Sequence, residues 1–523
     1  MEATEYIENE GFVEPAEMID EDAPVNELRY AAFSDYVWAF IAVMIIISIF
    51  VIQQPNKLLH WMLFPLVLCG TIIGADAIRW FKGTYEVFDP KGIIGLFGIN
   101  FFFIAPLLVV MNDLEGVETY IVRDWPPLLG IMAFMNFFGL IVYKLVAKIG
   151  FSRPSKVQWT YWQLNPGRAT VFIPVFLIVA FASLCIYIIR GGGLGGILLQ
   201  ERQGEFGGGG LVGFGAIMIL RDALPMTVLI GLTAFRLTNI SKGKSRMWLF
   251  VGIGMLVLFF FTSGLRGSRA ATAYGLIVAG AVLHYFWRRL SVKIILISMI
   301  PLAVFFYFYG FYKSAGIRGI KELVQGTRTI ESLQEQTKRT YTGYLIGNLS
   351  RAHVQAAEVD VLINKPWSYR YRYGKTYPLA IGYIIPRQIW RSKPIDMGRI
   401  IAGTEMLYGP DSYGPYVKVG GTGSRSTQLY GLAGEAMLNF GLLGILPAFA
   451  VWGYVIGRLR KRLYSFRPDD LRLCMTGFWM LFSFIILVSD ADQLVWFFIS
   501  LYIVPATLIY LISDKCDMHN SYE

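Results

Sequence analysis

The chain has 523 residues, 55% of them hydrophobic and only 16% charged, with a formal net charge of +10. A soluble globular protein with so few charges would have trouble staying in solution. What fits is a series of apolar runs of about 18 or more residues, each long enough to cross roughly 30 Å of hydrocarbon as a helix. The alternating pattern of a membrane barrel is missing, so the spans read as helices that satisfy their own backbone hydrogen bonds.

The first 29 residues hold ten acids, Glu2 to Glu27, against one Arg, and 1–30 reads as a solvated, disordered cytoplasmic tail with no leader pattern. Apolar spans are predicted at 34–52, 58–78, 92–111, 126–146, 169–189, 211–235, 247–264, 270–287 and 293–311, which makes 31–311 a block of nine transmembrane helices. A long polar segment, 312–428, follows. Three further spans at 429–457, 473–489 and 493–512 fill 429–512, and 513–523 is a short tail. The fold class is therefore an all-α polytopic membrane protein with about twelve transmembrane helices and one large loop. The four cysteines, Cys69, Cys185, Cys474 and Cys516, are scattered without disulfide or zinc spacing.

Orientation comes from the connections. One alternate set is basic: Arg79/Lys82/Lys91, Lys144 to Arg168, Arg236 to Arg246, Arg288/Arg289/Lys293 and Arg458 to Arg472. The other is neutral, acidic or glycine-rich. The basic set belongs in the cytoplasm, which puts both termini inside and 312–428 on the outer face. That outer segment carries 17 Arg/Lys against 8 Asp/Glu, a balance of 17 − 8 = +9. A basic excess on that side is no topology signal, and it points to an anionic ligand.

No ATP is present outside the membrane, so an outer-face enzyme that builds polymers needs a preactivated donor. A sugar on a polyisoprenyl pyrophosphate is one. Its leaving group gains negative charge in the transition state, which placed cations stabilise. Arg suits the task because its planar fork takes two phosphate oxygens at once. The acceptor hydroxyl needs a carboxylate or His to take its proton.

Five clusters answer that description. Arg266 and Arg269 flank a tight turn, as headgroup anchors or as phosphate ligands. Arg221-Asp222 lies within span six, either a local ion pair or a phosphate ligand below the outer surface. By contrast, Asp76 and Arg79 read as a snorkelling pair without a role. Arg351, Gln355 and Glu358 share one helix face, and His353 is the single His of the large loop. Arg387, Trp390, Arg391 and Lys393 form a basic patch between prolines, where Trp390 stacks on a sugar or anchors the loop at the interface. Finally, Arg425 precedes Glu435 and Asn439, which are four apart and share a face at the opening of span ten. Glu435 is the preferred base or acceptor-sugar ligand, kept ionised by a nearby Arg. His353 and Arg425 are its companions in catalysis, and Asn439 joins Trp390 in binding sugar. No His, Cys, Asp or Glu group on the outer side has metal-ligand spacing, and no cofactor is called for.

The order of these features resembles the O-antigen polymerases (Wzy-type) and related oligosaccharide repeat-unit polymerases over about residues 35 to 512. The pieces that carry the resemblance are Phe88-Asp-Pro-Lys91-Gly, Thr262-Ser-Gly-Leu-Arg266-Gly-Ser-Arg269, Ile385-Pro-Arg387-Gln-Ile-Trp390-Arg391-Ser-Lys393-Pro394 and Gly434-Glu435-Ala-Met-Leu-Asn439-Phe-Gly441, with the large outer loop. The resemblance implies a GT-C-like, metal-independent, inverting glycosyltransferase of the bacterial inner membrane. It would move a growing glycan from undecaprenyl pyrophosphate onto a fresh lipid-linked repeat unit. It implies Arg266, Arg269, Arg387, Arg391 and Arg425 as the matched cations and Glu435 as the matched acid, whereas Arg221, Arg351 and His353 rest on charge and depth alone. Partners on this reading are the lipid-linked donor and acceptor, membrane lipid, a chain-length regulator and a flippase, and no nucleic acid. Two other readings stay open: a ligase that moves the glycan to another acceptor, and a transporter of polysaccharide or lipid-linked sugar.

Overall fold

The computed structural model describes residues 32–112, 122, 124–153, 160–190, 193, 215–238, 254, 257, 269–337, 341–347, 349–382, 385, 390, 398–408 and 429–517. The chain is mostly helical, and ten of its described helices are long and apolar enough to cross a membrane. They are α1 (Phe33–Gln53), α2 (Leu63–Phe81), α3 (Pro90–Met111), α4 (Trp125–Ser152), α5 (Pro166–Arg190), the pair α6 (Gly215–Asp222) and α7 (Leu224–Thr238), the first half of α9 (Val292–Val324), α14 (Ile445–Leu463 after a short turn), α15 (Thr476–Val488 after a 3-10 turn) and α16 (Ala491–Ile512). Between α7 and α9 lies α8 (Arg269–Phe286), whose apolar part covers Gly275–Phe286. Most of the expected span at 247–264 lies outside the described residues. Between α9 and α14 come α10 (Ala352–Asn364), α11 (Thr376–Gly382), α12 (Gly398–Tyr408) and α13 (Gly431–Phe440). A strand at Thr160–Leu164 pairs antiparallel with Ser513–Asp517 beyond α16.

Span ten differs from the expectation of one helix over 429–457. The chain breaks at Gly441, which has φ 70°, so Glu435 and Asn439 sit on the short helix α13 ahead of the spanning α14. The terminal carbonyls of α13 would otherwise lack donors. Here Leu438 O accepts from Arg372 N (3.2 Å) and Tyr369 Oη (2.8 Å), and Asn439 O accepts from Tyr373 N (3.0 Å). A segment of the large loop thus caps the helix.

Among the described helices α4 and α14 form a close seam. Gly453 and Gly457 are one turn apart, and a Cβ on Gly457 would stand 2.3 Å from Ala147 O. Small residues at this spacing let two backbones approach closely where lipid supplies no hydrophobic drive. Tyr143 and Trp452 stack across the seam with centroids 4.3 Å apart. The outer faces are apolar, as on α1 at Phe40, Ile41, Met44 and Ile45. Two helices carry π-helical stretches, Asn100–Ile104 and Ile499–Ile503, each followed two residues later by Pro106 or Pro505. Proline offers no N–H to the carbonyl four residues back and crowds it, and a widened turn relieves both.

One end of the bundle is locked by buried charges. Asp89 accepts two bonds from Arg460 Nε (2.7 and 2.8 Å) and one from Tyr464 Oη (2.7 Å). His284 Nε2 lies 2.7 Å from Glu86 Oε1. The expected snorkelling pair is not one. Asp76 and Arg79 are both buried; Asp76 meets Lys144 Nζ at 2.5 Å on α4, and Arg79 Nε stands 4.0 Å from Asp35 on α1. Each charge has turned inward to another helix because the packed interior, rather than the headgroup layer, surrounds it.

Candidate acid–base site

The other end of the bundle gathers three carboxyl groups from three parts of the chain: Glu358 on α10, Glu435 on α13 and Asp490 at the turn between α15 and α16. All three are buried. They differ in the donors each receives.

Asp490 precedes α16, and its carboxylate reaches across to the start of α13. There it accepts from Tyr430 N (3.0 Å) and Gly431 N (2.7 Å). Glu435 returns the contact. Its Oε2 accepts from Ala491 N, the first residue of α16, at 2.7 Å. Each acid therefore serves the open N-terminus of the other's helix, where exposed N–H groups and the dipole favour negative charge. Glu435 Oε1 accepts from the Thr376 hydroxyl at 2.7 Å. Thr376 Oγ1 in turn accepts from Asn439 Nδ2 (2.8 Å), which leaves its hydroxyl hydrogen for the ionised Glu435 carboxylate. Asn439 uses its other amide hydrogen on Glu435 O (2.8 Å), and its Oδ1 accepts from Gly374 N (2.9 Å).

Glu358 receives no donor from the described residues. It is fully buried, and neither carboxyl oxygen has a hydrogen-bond partner among the described residues. It packs on Gly434, where an added Cβ would lie 2.7 Å from Glu358 Oε2 and 2.8 Å from Tyr430 Cβ. The glycine beside Glu435 leaves room for the second carboxyl group.

Burial first, and then the negative charge of Asp490, pushes the Glu435 carboxyl up to about 8, against the pull of its Thr376 and Ala491 donors. Burial, then Asp490 and Glu435, raises Glu358 well above the usual carboxyl range. Tyr377, beside Thr376, is held neutral by burial and by the charges of Glu435 and Asp490. Among the described residues no cation pairs with Glu435, and Arg425, the cation expected beside it, lies outside them.

The other expected site residues fall as follows. Asn439 joins Glu435 at Thr376, but both its donors are spent inside the site rather than offered to a sugar. His353 is buried in the first turn of α10, five residues before Glu358 and therefore about 140° around the helix axis. Arg351, at the start of the same helix, directs Nε to Val488 O (2.9 Å) and Nη1 to Gly347 O and Ser350 O (2.7 and 2.6 Å), which ties the large loop to α15. Arg221 is fully buried near the end of α6, pairs with Asp222 Oδ1 through Nε and Nη2 (3.0 and 2.6 Å), and stacks on Tyr187 at 4.0 Å. Its Nη1 has no hydrogen-bond partner among the described residues. Helix α6 packs against the π-helical stretch of α16, 8 to 12 residues past Ala491, so Arg221 lies roughly 12–18 Å along the bundle from Glu435. Trp390 sits partly exposed against Gly382 at the end of α11. Arg266, Arg387, Arg391 and Arg425 lie outside the described residues, and the described part of Arg269 is its place as the first residue of α8.

Thr376 and Asp490 gain their places only here, as does Glu358 its place beside Glu435 rather than merely on the Arg351–Gln355 face. The signal in the sequence for Glu358 is an acid set directly between Ala356-Ala357 and Val359.

The chain matches no family model, no curated protein and no solved structure in the comparisons made.

Proposed function

We propose that this chain is a glycosyltransferase of the bacterial inner membrane that extends undecaprenyl-pyrophosphate-linked oligosaccharide at the outer face. On this reading the acid–base end of the bundle and the basic segment 312–428 face outward, both termini are cytoplasmic, and the architecture is GT-C-like. The observation that carries the proposal is Glu435: a buried carboxyl with two fixed donors and a proton affinity near neutral, which is what a general base for a hydroxyl needs.

The reaction follows from those parts. The acceptor hydroxyl oxygen attacks the anomeric carbon of the donor glycan from the face opposite the pyrophosphate. The carbon–oxygen bond to pyrophosphate breaks, and the leaving group takes the electron pair. The hydroxyl proton passes to the Glu435 carboxylate. Arg221, with an open Nη1 in a dry setting, together with Arg266, Arg269, Arg387, Arg391 and Arg425, balances the charge on the departing pyrophosphate.

The test is purified protein in lipid nanodiscs given lipid-linked repeat units. Parental protein should yield a ladder of longer glycans on the same lipid. Glu435→Gln should bind the substrate and extend it about 10²-fold more slowly or worse, the lower scale for loss of a general base. Extension by Glu435→Gln at the parental rate would sink the proposal.

A further inference from the structure

Three buried carboxyl groups this close together do not all ionise, and their donors rank them. Asp490 has two backbone N–H groups and a helix start, and so carries its charge. Glu435 has one hydroxyl and one backbone N–H. Glu358 has none among the described residues, and Gln355 one turn upstream adds another orphan acceptor. Its Oε1 lacks a donor, while its Nε2 is committed to Tyr430 O at 3.1 Å. A buried carboxylate with no donor is among the most costly groups a protein can hold. A proton removes the charge and needs no added space. The three acids are also not arranged as ligands of a metal ion, among the described residues.

We propose that Glu358 stands in the resting protein as a neutral carboxylic acid and is a positioning residue for Glu435: by holding the cluster's proton it leaves Glu435 as the carboxyl that titrates and receives the proton of the incoming hydroxyl. An ionised Glu358 would add a second negative charge beside Glu435 and hold it protonated. The catalytic half of this inference rests on the glycosyltransferase reading; the protonation half does not.

Among the described residues the surroundings of Glu358 offer no rescue for an anion. The charges that act on it are Asp490 and Glu435, both negative. On its own helix Arg351 turns to backbone carbonyls, His353 lies about 140° away around the axis, and Asp360, two residues on, lies about 160° away on the far side of the helix. On α12, Glu405 is paired with Arg372. Asp492 adds a further acid on α16. The residues Ala105–Met111 at the end of α3 carry no ionisable group, and Lys144 on α4 is bound to Asp76 at the far end of that helix.

The experiment compares parental protein with Glu358→Gln in thermal unfolding across pH, without substrate. A carboxyl whose folded proton affinity is raised weakens the fold progressively as pH climbs above its unfolded value, because only the folded state keeps the proton. Glutamine escapes that penalty. The folding equilibrium of Glu358→Gln should therefore gain on the parental one by up to tenfold per unit of pH from mildly acid to neutral conditions. An ionised Glu358 held by the fold would give the opposite slope, and a flat difference would equally overturn the proposal. Infrared spectra of parental protein labelled with carbon-13 glutamate supply the second measurement, so that a failure of the variant to fold leaves the question answerable. A protonated glutamic-acid carbonyl band should persist at pH values above the Glu435 transition, and its absence there overturns the proposal. Neither measurement uses a glycan, so both stand whatever the fate of the transferase reading. In the extension assay, Glu358→Gln should keep the parental acid limb of the pH–rate profile while Glu358→Asp, shorter by one carbon, should displace it. Identical profiles for all three proteins would remove the positioning role.

Discussion

Thr376→Val tests how Glu435 is tuned. The substitution keeps the branched shape and removes the hydroxyl that donates to Glu435 Oε1 at 2.7 Å, which leaves the carboxylate one donor, Ala491 N. A hydrogen bond to a charged group contributes about 1.5–3 kcal/mol. At about 1.4 kcal/mol per unit, the lost bond raises the Glu435 carboxyl by roughly one to two further units. The starting point is already up at about 8. The sign follows directly: the ionised, proton-accepting form becomes scarcer at every pH below the new value and is restored above it. At neutral pH the glycan-extension rate should fall about 10- to 100-fold, and the acid limb of the pH–rate profile should move one to two units toward alkaline pH with its plateau kept. Thr376→Ser, which keeps the donor, should keep the limb. The assay is extension of lipid-linked repeat units by nanodisc-embedded protein over a pH series. A Val variant with the parental limb would show that the Thr376 hydroxyl does not act on Glu435, and the ranking of the three acids would lose its footing.

Arg460→Leu should lower the stability of the folded protein by about 3–5 kcal/mol, because it leaves Asp89 charged and buried; Asp89→Asn combined with it should lose less than the sum of the two single changes, read from thermal denaturation in detergent. Ala in place of Arg221, Arg266, Arg269, Arg387 or Arg425 should reduce glycan extension by about 10²- to 10³-fold while the protein still reaches the membrane, and Lys should restore little where two-pronged contact matters. Normal extension in all five Ala variants would remove the pyrophosphate role. Cysteines introduced at Ile330 and Pro410 should react with an impermeant reagent from outside intact inner-membrane vesicles of native orientation; reaction only after permeabilisation would invert the topology and, with it, the placement of the acid–base end.

What the sequence determines here is what lies within one helix or follows from the solvent. An apolar run of about 18 residues has essentially one way to satisfy its backbone in lipid, so nine of the twelve predicted spans coincide with long apolar helices, and the end with the basic connections can be told from the other by charge alone. The four-residue spacing of Glu435 and Asn439 likewise places them on one helix face, and both meet Thr376. The burial of Arg221 agrees with its place inside an apolar span, where a charge turns toward the protein interior. The tertiary structure decided everything that joins separate segments. It broke span ten at Gly441, because a loop segment at 369–373 caps α13 there, and hydropathy registers only that both halves are apolar. It turned Asp76 and Arg79 to partners on α4 and α1. It set Asp490, from the turn before α16, across the start of α13, and it brought in Glu358 from far upstream of Glu435, with Gly434 as the gap that admits it. The charge of a carboxyl depends on which donors reach it and how much water is excluded. Both are set by how helices pack against one another, and neither is encoded in the spacing along the chain.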